Sequence, residues 1–228
     1  MTGSGLRGTS ACGLAFVVLQ VAALAALGSG GTPPSGADTA QDVAYVGAHA
    51  RAFEAFAFLN GFAYVAFLVF AAGLRDSAVA RDERVRSSAS LFFGAALVLA
   101  GVAFVGGGLT ATGAVDASER AEPASLRAMF EAGGVMLGPI IEFPAALMLA
   151  AAAVAVGRSG LSRWSARLGW FAAALNIAAT PSIFGGSNPT EFYSAVGIAE
   201  LAMALLPLLL WTLFGSISLF RLRPLPSA

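Results

Sequence analysis

Six runs of mostly apolar residues cover most of this chain, and they constrain its fold more than any other feature. A bilayer core of about 30 Å is crossed by about 20 apolar residues in an α-helix. The runs fall at 11–27, 53–74, 90–112, 129–156, 168–184 and 193–219, and the first and fifth are the shortest. This pattern predicts an all-α fold, a polytopic transmembrane helical bundle with six spans.

The composition supports a membrane protein and excludes several kinds of site. The chain is 57% hydrophobic and 11% charged, with a mean hydropathy of +0.78, whereas a soluble domain has roughly 25% charged residues. Lysine is absent, which excludes chemistry through an internal Schiff base. One histidine and one cysteine are too few for a three-histidine zinc site, a bis-histidine haem or an internal disulfide. We therefore expect no cofactor, and zero net charge gives no reason to expect nucleic acid.

The arginines predict the topology, because cytoplasmic loops retain arginine and exported loops do not. With six spans, ten of them fall on one side: Arg7, Arg75, Arg81, Arg84, Arg86, Arg158, Arg163, Arg167, Arg221 and Arg223. Only Arg51, Arg120 and Arg127 fall on the other. We therefore expect both termini to be cytoplasmic. The Ala-, Val-, Gly- and Arg-rich composition is typical of a high-G+C bacterial genome, so we expect a multi-pass protein of a bacterial plasma membrane.

The first run has an alternative interpretation as a cleaved signal peptide. Arg7 precedes an apolar stretch that ends in small residues at 26–28, as such peptides require. Cleavage would leave five spans and an external N-terminus, which fits the arginines less well. We therefore interpret residues 1–228 as a single transmembrane domain with a short external segment at 28–52, in which a short helix leads into the second span.

Two segments resemble a known family. They are DTAQDVAYVGAHARAF at 38–53 and LSRWSARLGWFAAALN at 161–176. They are similar to small six-span integral membrane proteins of high-G+C bacteria, a family defined by a domain of unknown function. The family introduces its fifth span with a Leu-Pro-Arg-Trp motif followed by Leu-Gly-Trp. Here the matching residues are Leu161, Arg163, Trp164, Leu168, Gly169 and Trp170, while Ser162 replaces the proline and two residues are inserted. The resemblance implies the architecture and no activity.

Two acidic residues lie inside predicted spans, Glu142 in the fourth and Glu200 in the sixth. A charged side chain at mid-bilayer costs about 2.5 to 3.5 kcal/mol on insertion scales, so it must be neutralised, paired or hydrated. Pro139 and Pro144 flank Glu142, and each removes a helical hydrogen bond and frees a carbonyl. Carbonyl oxygens beside a carboxylate suit a small cation, an ammonium group or a proton. We expect these acids to share a polar pocket, either open outward or buried just below the external surface.

Further polar residues of the external half are candidate ligands of the same pocket. They are Asn60, Tyr64, Asn176, Glu131 and Glu54, with His49 and Arg51 at the rim. The cytoplasmic half, by contrast, reads as almost entirely apolar. Each of these polar residues also has a structural interpretation, as a bend, an interhelical hydrogen bond or an interface residue. The functional hypothesis is a protein that binds or moves a small cationic or protonatable species.

The competing hypothesis is a non-transporting accessory or scaffold protein. Gly134 and Gly138 form a GxxxG pattern, and the third span carries Gly94, Gly101 and Gly106–Gly108. Small residues allow close helix approach, either within the bundle, in a homo-oligomer or against another membrane protein. No nucleophile elbow, phosphate-binding loop or metalloprotease motif is present. An enzyme is therefore the least favoured class, whereas a bound metal ion is left open.

Overall fold

The computed structural model describes residues 3–29, 39–118, 123–186, 191–195 and 197–222, and these residues form helices and turns without a strand. Eight α-helices follow one another along the chain. They are α1 (Gly3–Gly28), α2 (Thr39–Ala48), α3 (Ala50–Arg81), α4 (Arg86–Ser118), α5 (Pro123–Val135), α6 (Ile141–Arg158), α7 (Arg163–Ala179) and α8 (Leu206–Phe220). Short 3-10 turns cover Glu83–Val85 and Thr180–Phe184, and π-helical turns cover Met136–Ile140 and Glu200–Leu205. The all-α prediction is confirmed for this part of the chain.

Five helical segments among the described residues are long and apolar enough to cross a membrane. They are Gly5–Gly28, Ala50–Arg81, Glu83–Ala117, Ala124–Arg158 and Glu200–Phe220. The fifth predicted run differs, because α7 has only 17 residues and then tightens into the 3-10 turn that contains Pro181. The run predicted to begin at residue 193 becomes helical only near Glu200, since residues 191–195 form turns and bends.

Small residues bring the long helices together around an aromatic core. A Cβ added at Gly13 of α1 would lie 2.7 Å from Phe70 of α3, and one added at Gly73 would lie 2.8 Å from Thr9. These glycines therefore set the close packing of α1 on α3. Trp211 of α8 is fully buried and meets the rings of Phe70 and Phe92 edge to face. Burial of such rings dominates the energetics of a packed core.

The end of the bundle that carries most of the described arginines, which we call the arginine end, is more polar inside than the sequence suggests. Ser10 donates to the carbonyl of Ser216 at 2.7 Å, and Ser216 donates to that of Thr212 at 2.7 Å. The hydroxyl oxygens of Ser165 and Ser218 lie 3.3 Å apart. The expectation of an almost entirely apolar half at this end was wrong. Serine and threonine do not interrupt an apolar run in the sequence, because their hydroxyls can bond to carbonyls of the same helix.

Large apolar side chains are exposed along the outside of the bundle. On α3 they include Phe58, Phe62, Val65 and Val69, each at least half exposed. Exposure of such an apolar surface to water is unfavourable, whereas its contact with lipid acyl chains is favourable. Trp164, at the start of α7, is 77% exposed and lies beside the Arg167 guanidinium. That pairing is typical of the boundary between lipid and water.

Candidate functional site

The helix that carries Glu142 is interrupted just before it. Between α5 and α6 the chain makes a π-helical turn at Met136–Ile140, and Gly138 has non-helical torsion angles of φ −99° and ψ −113°. Pro139 lies in this turn, and Pro144 lies one turn into α6. The two prolines cannot donate to the helix ladder, which explains why regular geometry fails here. π-helical turns inside helices occur frequently at functional sites.

Glu142 occupies the first turn of α6 and is completely enclosed, with 0% of its side chain exposed. Neither of its carboxyl oxygens accepts a hydrogen bond from a donor group among the described residues. Its carboxyl instead lies within hydrogen-bonding reach of the Glu200 carboxyl. We call these two groups the acid pair. Glu142 itself is enclosed within the bundle, and the polar pocket expected from the sequence stays a prediction.

Glu200 begins the π-helical turn that leads into α8. One of its oxygens, Oε1, accepts a hydrogen bond from the hydroxyl of Ser182. Ser182 is fully buried in the 3-10 turn that follows α7. The acid pair therefore lies where three chain segments leave regular α-helical geometry. Of the two acids, Glu200 alone has a donor among the residues that the structure describes.

Gly138 makes this meeting possible because it lacks a side chain. A Cβ added there would contact the carbonyl oxygen of Ala195 and would lie 3.2 Å from Cδ of Glu200. The GxxxG glycine therefore packs inside the bundle, against the acid pair and the turn before α8. It does not face a second protein.

Asn60 belongs to a different polar contact. Its side chain is buried in α3 and accepts a hydrogen bond of 2.9 Å from the amide of Gln20 in α1. The backbone of α4 separates this contact from the acid pair. A Cβ added at Gly107 would face Asn60 at 3.5 Å, whereas one at Gly106 would face Met136 and Leu137 of the interrupted helix at 2.8 to 3.0 Å. Asn60 therefore has a partner within the protein, and ligand binding by it together with Glu142 stays a prediction.

Tyr64 and Asn176 also support helix packing. Tyr64 lies one turn beyond Asn60 and packs edge to face against Phe16 of α1. Asn176 donates to the carbonyl of Ala172 at 2.9 Å and to that of Ala204 at 3.4 Å. Because Ala204 belongs to the π-helical turn of Glu200, Asn176 holds α7 against that turn. Ala204 lies about one helical turn after Glu200, and ligand binding by Asn176 stays a prediction.

The other acidic candidates lie on exposed faces. Glu131 of α5 accepts a hydrogen bond of 2.7 Å from Arg127, one helical turn earlier. Glu54 is exposed near the start of α3. His49, in the turn between α2 and α3, contacts the carbonyl of Tyr45 through Nδ1 at 2.8 Å, and Arg51 is exposed. We place none of these residues in the site, and any ligand binding by them stays a prediction.

The site offers little to a metal ion. Within the described ranges, no three side chains of His, Cys, Asp or Glu come together.

A small cavity of about 10 Å³ lies at the arginine end, lined in part by Trp211, Ser165 and Ser218. It has room for about one water molecule. It is remote from the acid pair, since Ser218 lies 18 residues beyond Glu200 along one helical segment.

Sequence reasoning paired the acids but missed their neighbours. Gln20 interrupts the apolar run of α1 and could have been recognised as a partner for a buried amide. Ser182 carried no such signal, because a serine beside a proline at a helix end is common in any loop. The role of Gly138 depends on the approach of residue 195, which no local pattern predicts.

A scan against models of protein families, a search of curated proteins and a search of solved structures each found no match to this chain. Membership of the small six-span family therefore stays a prediction from the sequence.

Proposed function

We propose that this chain crosses a bacterial plasma membrane six times, with both termini cytoplasmic. The course of α7 supports the sixth crossing. Ser165 at its start lies beside Ser218, and Ser182 just beyond its end bonds to Glu200. The segment from α7 to Ser182 therefore runs antiparallel to the apolar segment Glu200–Phe220 along nearly its full length. Seventeen α-helical residues span about 25 Å, close to the thickness of a hydrocarbon core.

The bundle, in this proposal, binds and moves a small cation or a proton through the acid pair. The observation that carries the proposal is the state of Glu142, which is fully buried and faces a second carboxyl without a protein donor. Two carboxyl oxygens can hydrogen-bond only through a hydrogen, and two bare carboxylates repel. Something positively charged must therefore lie between them, and no described side chain supplies it.

The interrupted helices support the same function. Glu142 and Glu200 each lie in the first turn of a helical segment that follows irregular backbone. The positive end of a helix dipole favours a carboxylate by about 0.3 to 1 kcal/mol. One negative charge is thereby stabilised inside the bundle, which makes the pair a receptor for a cation. Transporters commonly place their ion sites at interrupted helices near the middle of the membrane.

The test is cation or proton flux in proteoliposomes that contain the purified chain. We expect Glu142→Gln and Glu200→Gln each to reduce flux to the level of empty vesicles, because either change removes a carboxyl of the pair. Glu54→Gln is the matched control, since it makes the same chemical change at an exposed position. Flux in the two pair variants equal to that of the control would contradict the proposal, provided that all variants remain monodisperse.

A second candidate function is that of an accessory protein that docks a membrane partner. One observation favours it. Gly94, Gly101 and Gly108 of α4 are exposed, recur every seven residues and have open space where a Cβ would lie. Residues seven apart share a helix face, and small residues on such a face allow a second helix to approach. The two functions make different demands on α4, since only docking requires a second helix on this face.

A further inference from the structure

We infer that the species held by the acid pair is a single proton, donated by Glu142 to Glu200, and not a metal ion or an ammonium group. This inference rests on the proposed function and narrows it to one ligand.

The contact between the two carboxyls favours the proton. A Cβ added at Gly138, one helical turn before Glu142, would lie 3.2 Å from Cδ of Glu200, and the two carboxyls lie within hydrogen-bonding reach of each other. An ammonium group that bridges two carboxylates keeps each oxygen about 2.7 to 2.9 Å from its nitrogen, which separates the oxygens by more than one hydrogen-bond length. Only a hydrogen fits between oxygens that approach each other directly.

The described side chains around the pair supply fewer oxygen ligands than the hard metal ions prefer. Ca²⁺ takes six to eight oxygens, and Mg²⁺ takes six in near-ideal octahedral geometry. The pair offers its own carboxyl oxygens, and no third side chain of His, Cys, Asp or Glu joins it within the described ranges. Because Glu142 is fully enclosed, it has no contact with bulk water that could complete a coordination shell.

The hydrogen-bond partners also assign the direction of donation. Ser182 donates to Oε1 of Glu200, so Glu200 is the carboxylate that accepts. Glu142 receives no hydrogen bond from the described residues, so it is the member that carries the hydrogen. The pair then has one proton and one negative charge. Glu200 accepts from two hydroxyl groups, one on Glu142 and one on Ser182.

Release of the proton breaks the O–H bond of Glu142. The electron pair of that bond stays on the oxygen, and the proton passes to a water molecule. The charge of the pair changes from −1 to −2. Two adjacent carboxylates are costly in a dry interior, so release requires water to reach the pair. Uptake reverses each step.

Other charged groups on the surrounding elements do not offset the pair. The segments packed against the two interrupted turns include α4, α5, α6, α7 and α8. Their described ionisable groups are Arg86 and Asp116 on α4, Arg127 and Glu131 on α5, Arg158 on α6, and Arg163 and Arg167 on α7, with Glu191 and Tyr193 in the turn before Glu200. The arginines of α4, α6 and α7 lie at the arginine end, and Arg127 pairs with Glu131.

The experiment is infrared difference spectroscopy of the full chain in lipid vesicles, across a pH titration in H₂O and in D₂O. We expect a carbonyl band of a protonated carboxylic acid that shifts in D₂O, that titrates with one proton per chain, and that is lost in Glu142→Gln. Glu54→Gln should keep the band. Ser182→Ala, a small change that should preserve folding, removes a donor from Glu200 and should raise proton affinity by about tenfold or more, since a hydrogen bond to a charged group stabilises the carboxylate form.

Parallel measurements with radioactive Na⁺ and with methylammonium separate the two proposals. No binding of either cation, together with the titrating band, supports the inference. Stoichiometric cation binding that is lost in Glu142→Gln, without the band, overturns the inference and leaves the proposed function standing. If band, cation binding and flux are all unchanged by Glu142→Gln, both are wrong.

Discussion

Two parts of the bundle handle buried polarity in opposite ways. In the first part, α1, α3 and α4 are uninterrupted helices of 26, 32 and 33 residues. Their central polar contact, Gln20 with Asn60, joins a donor to an acceptor. In the second part, α5 to α8, the helices are broken by π-helical and 3-10 turns, and the central contact joins two carboxyl groups.

The difference shows which polar contact is structural and which is a candidate site. An amide pair is complete within the protein, so it fastens two helices and needs nothing else. A carboxyl pair is incomplete until a proton or cation joins it. The backbone follows the same division, because regular helices satisfy their own hydrogen bonds, whereas interrupted ones leave groups for a ligand or for water.

The largest effect is expected from Gly138→Leu, which fills a close contact in the second part, beside the acid pair. The new side chain would clash with the carbonyl of Ala195 and with the carboxyl carbon of Glu200. Overpacking of this kind costs about 1 to 3 kcal/mol, and it would also separate the acid pair. We expect a lower unfolding temperature in lipid and loss of flux.

Gly8→Leu in α1 is the matched control for this change. It introduces the same side chain into a membrane helix at a position with open space. Its unfolding temperature and flux should stay close to those of the unchanged chain. If Gly138→Leu were equally harmless, the close approach of residues 138, 195 and 200 would be refuted.

The helices were predictable because their signal is local, whereas their ends and interruptions were not. The runs at 53–74, 90–112 and 129–156 lie inside the observed segments Ala50–Arg81, Glu83–Ala117 and Ala124–Arg158. The observed helices are longer, because a search for bilayer-sized apolar runs stops at the first polar residues although the helix continues. Ser162 accepts from the backbone of Ser165 and starts α7 earlier than residue 168, as a helix cap does.

The candidate site was predictable only where burial itself carries a cost. Glu142 and Glu200 stand out because acids inside apolar runs are expensive. Asn60 looked like a third member of the site, since it lies at a similar depth. The packing of α4 decides the surroundings of Asn60, because Gly107 faces Asn60 whereas Gly106 faces the interrupted helix. That arrangement depends on the whole fold.

A smaller effect is expected from Asn60→Leu, which removes the central polar contact of the first part. The change leaves the amide of Gln20 buried without its acceptor, so the free energy of unfolding should fall by about 1 kcal/mol. Flux through the acid pair should persist, because α4 separates the two contacts. The measurement is reversible unfolding in mixed micelles together with proteoliposome flux.

The double variant Gln20→Leu with Asn60→Leu provides the internal check. Replacing both partners with apolar groups should recover part of the lost stability, because no buried amide is then unpaired. Additive losses in the double variant would show that the two side chains do not interact.

The smallest effect is expected from Gly101→Ala on the open face of α4. Alanine is favoured over glycine in a helix by about 0.5 to 1 kcal/mol, and the added methyl group meets open space within one chain. If the chain works alone, the variant should be slightly more stable, with unchanged flux and unchanged mass in native mass spectrometry. If α4 docks a second helix through Gly94, Gly101 and Gly108, the methyl group would push that helix away and the oligomer or partner would be lost. A small gain in stability therefore indicates that the glycine face is lipid-exposed, whereas loss of the oligomer or partner indicates that it is the interface of an accessory protein.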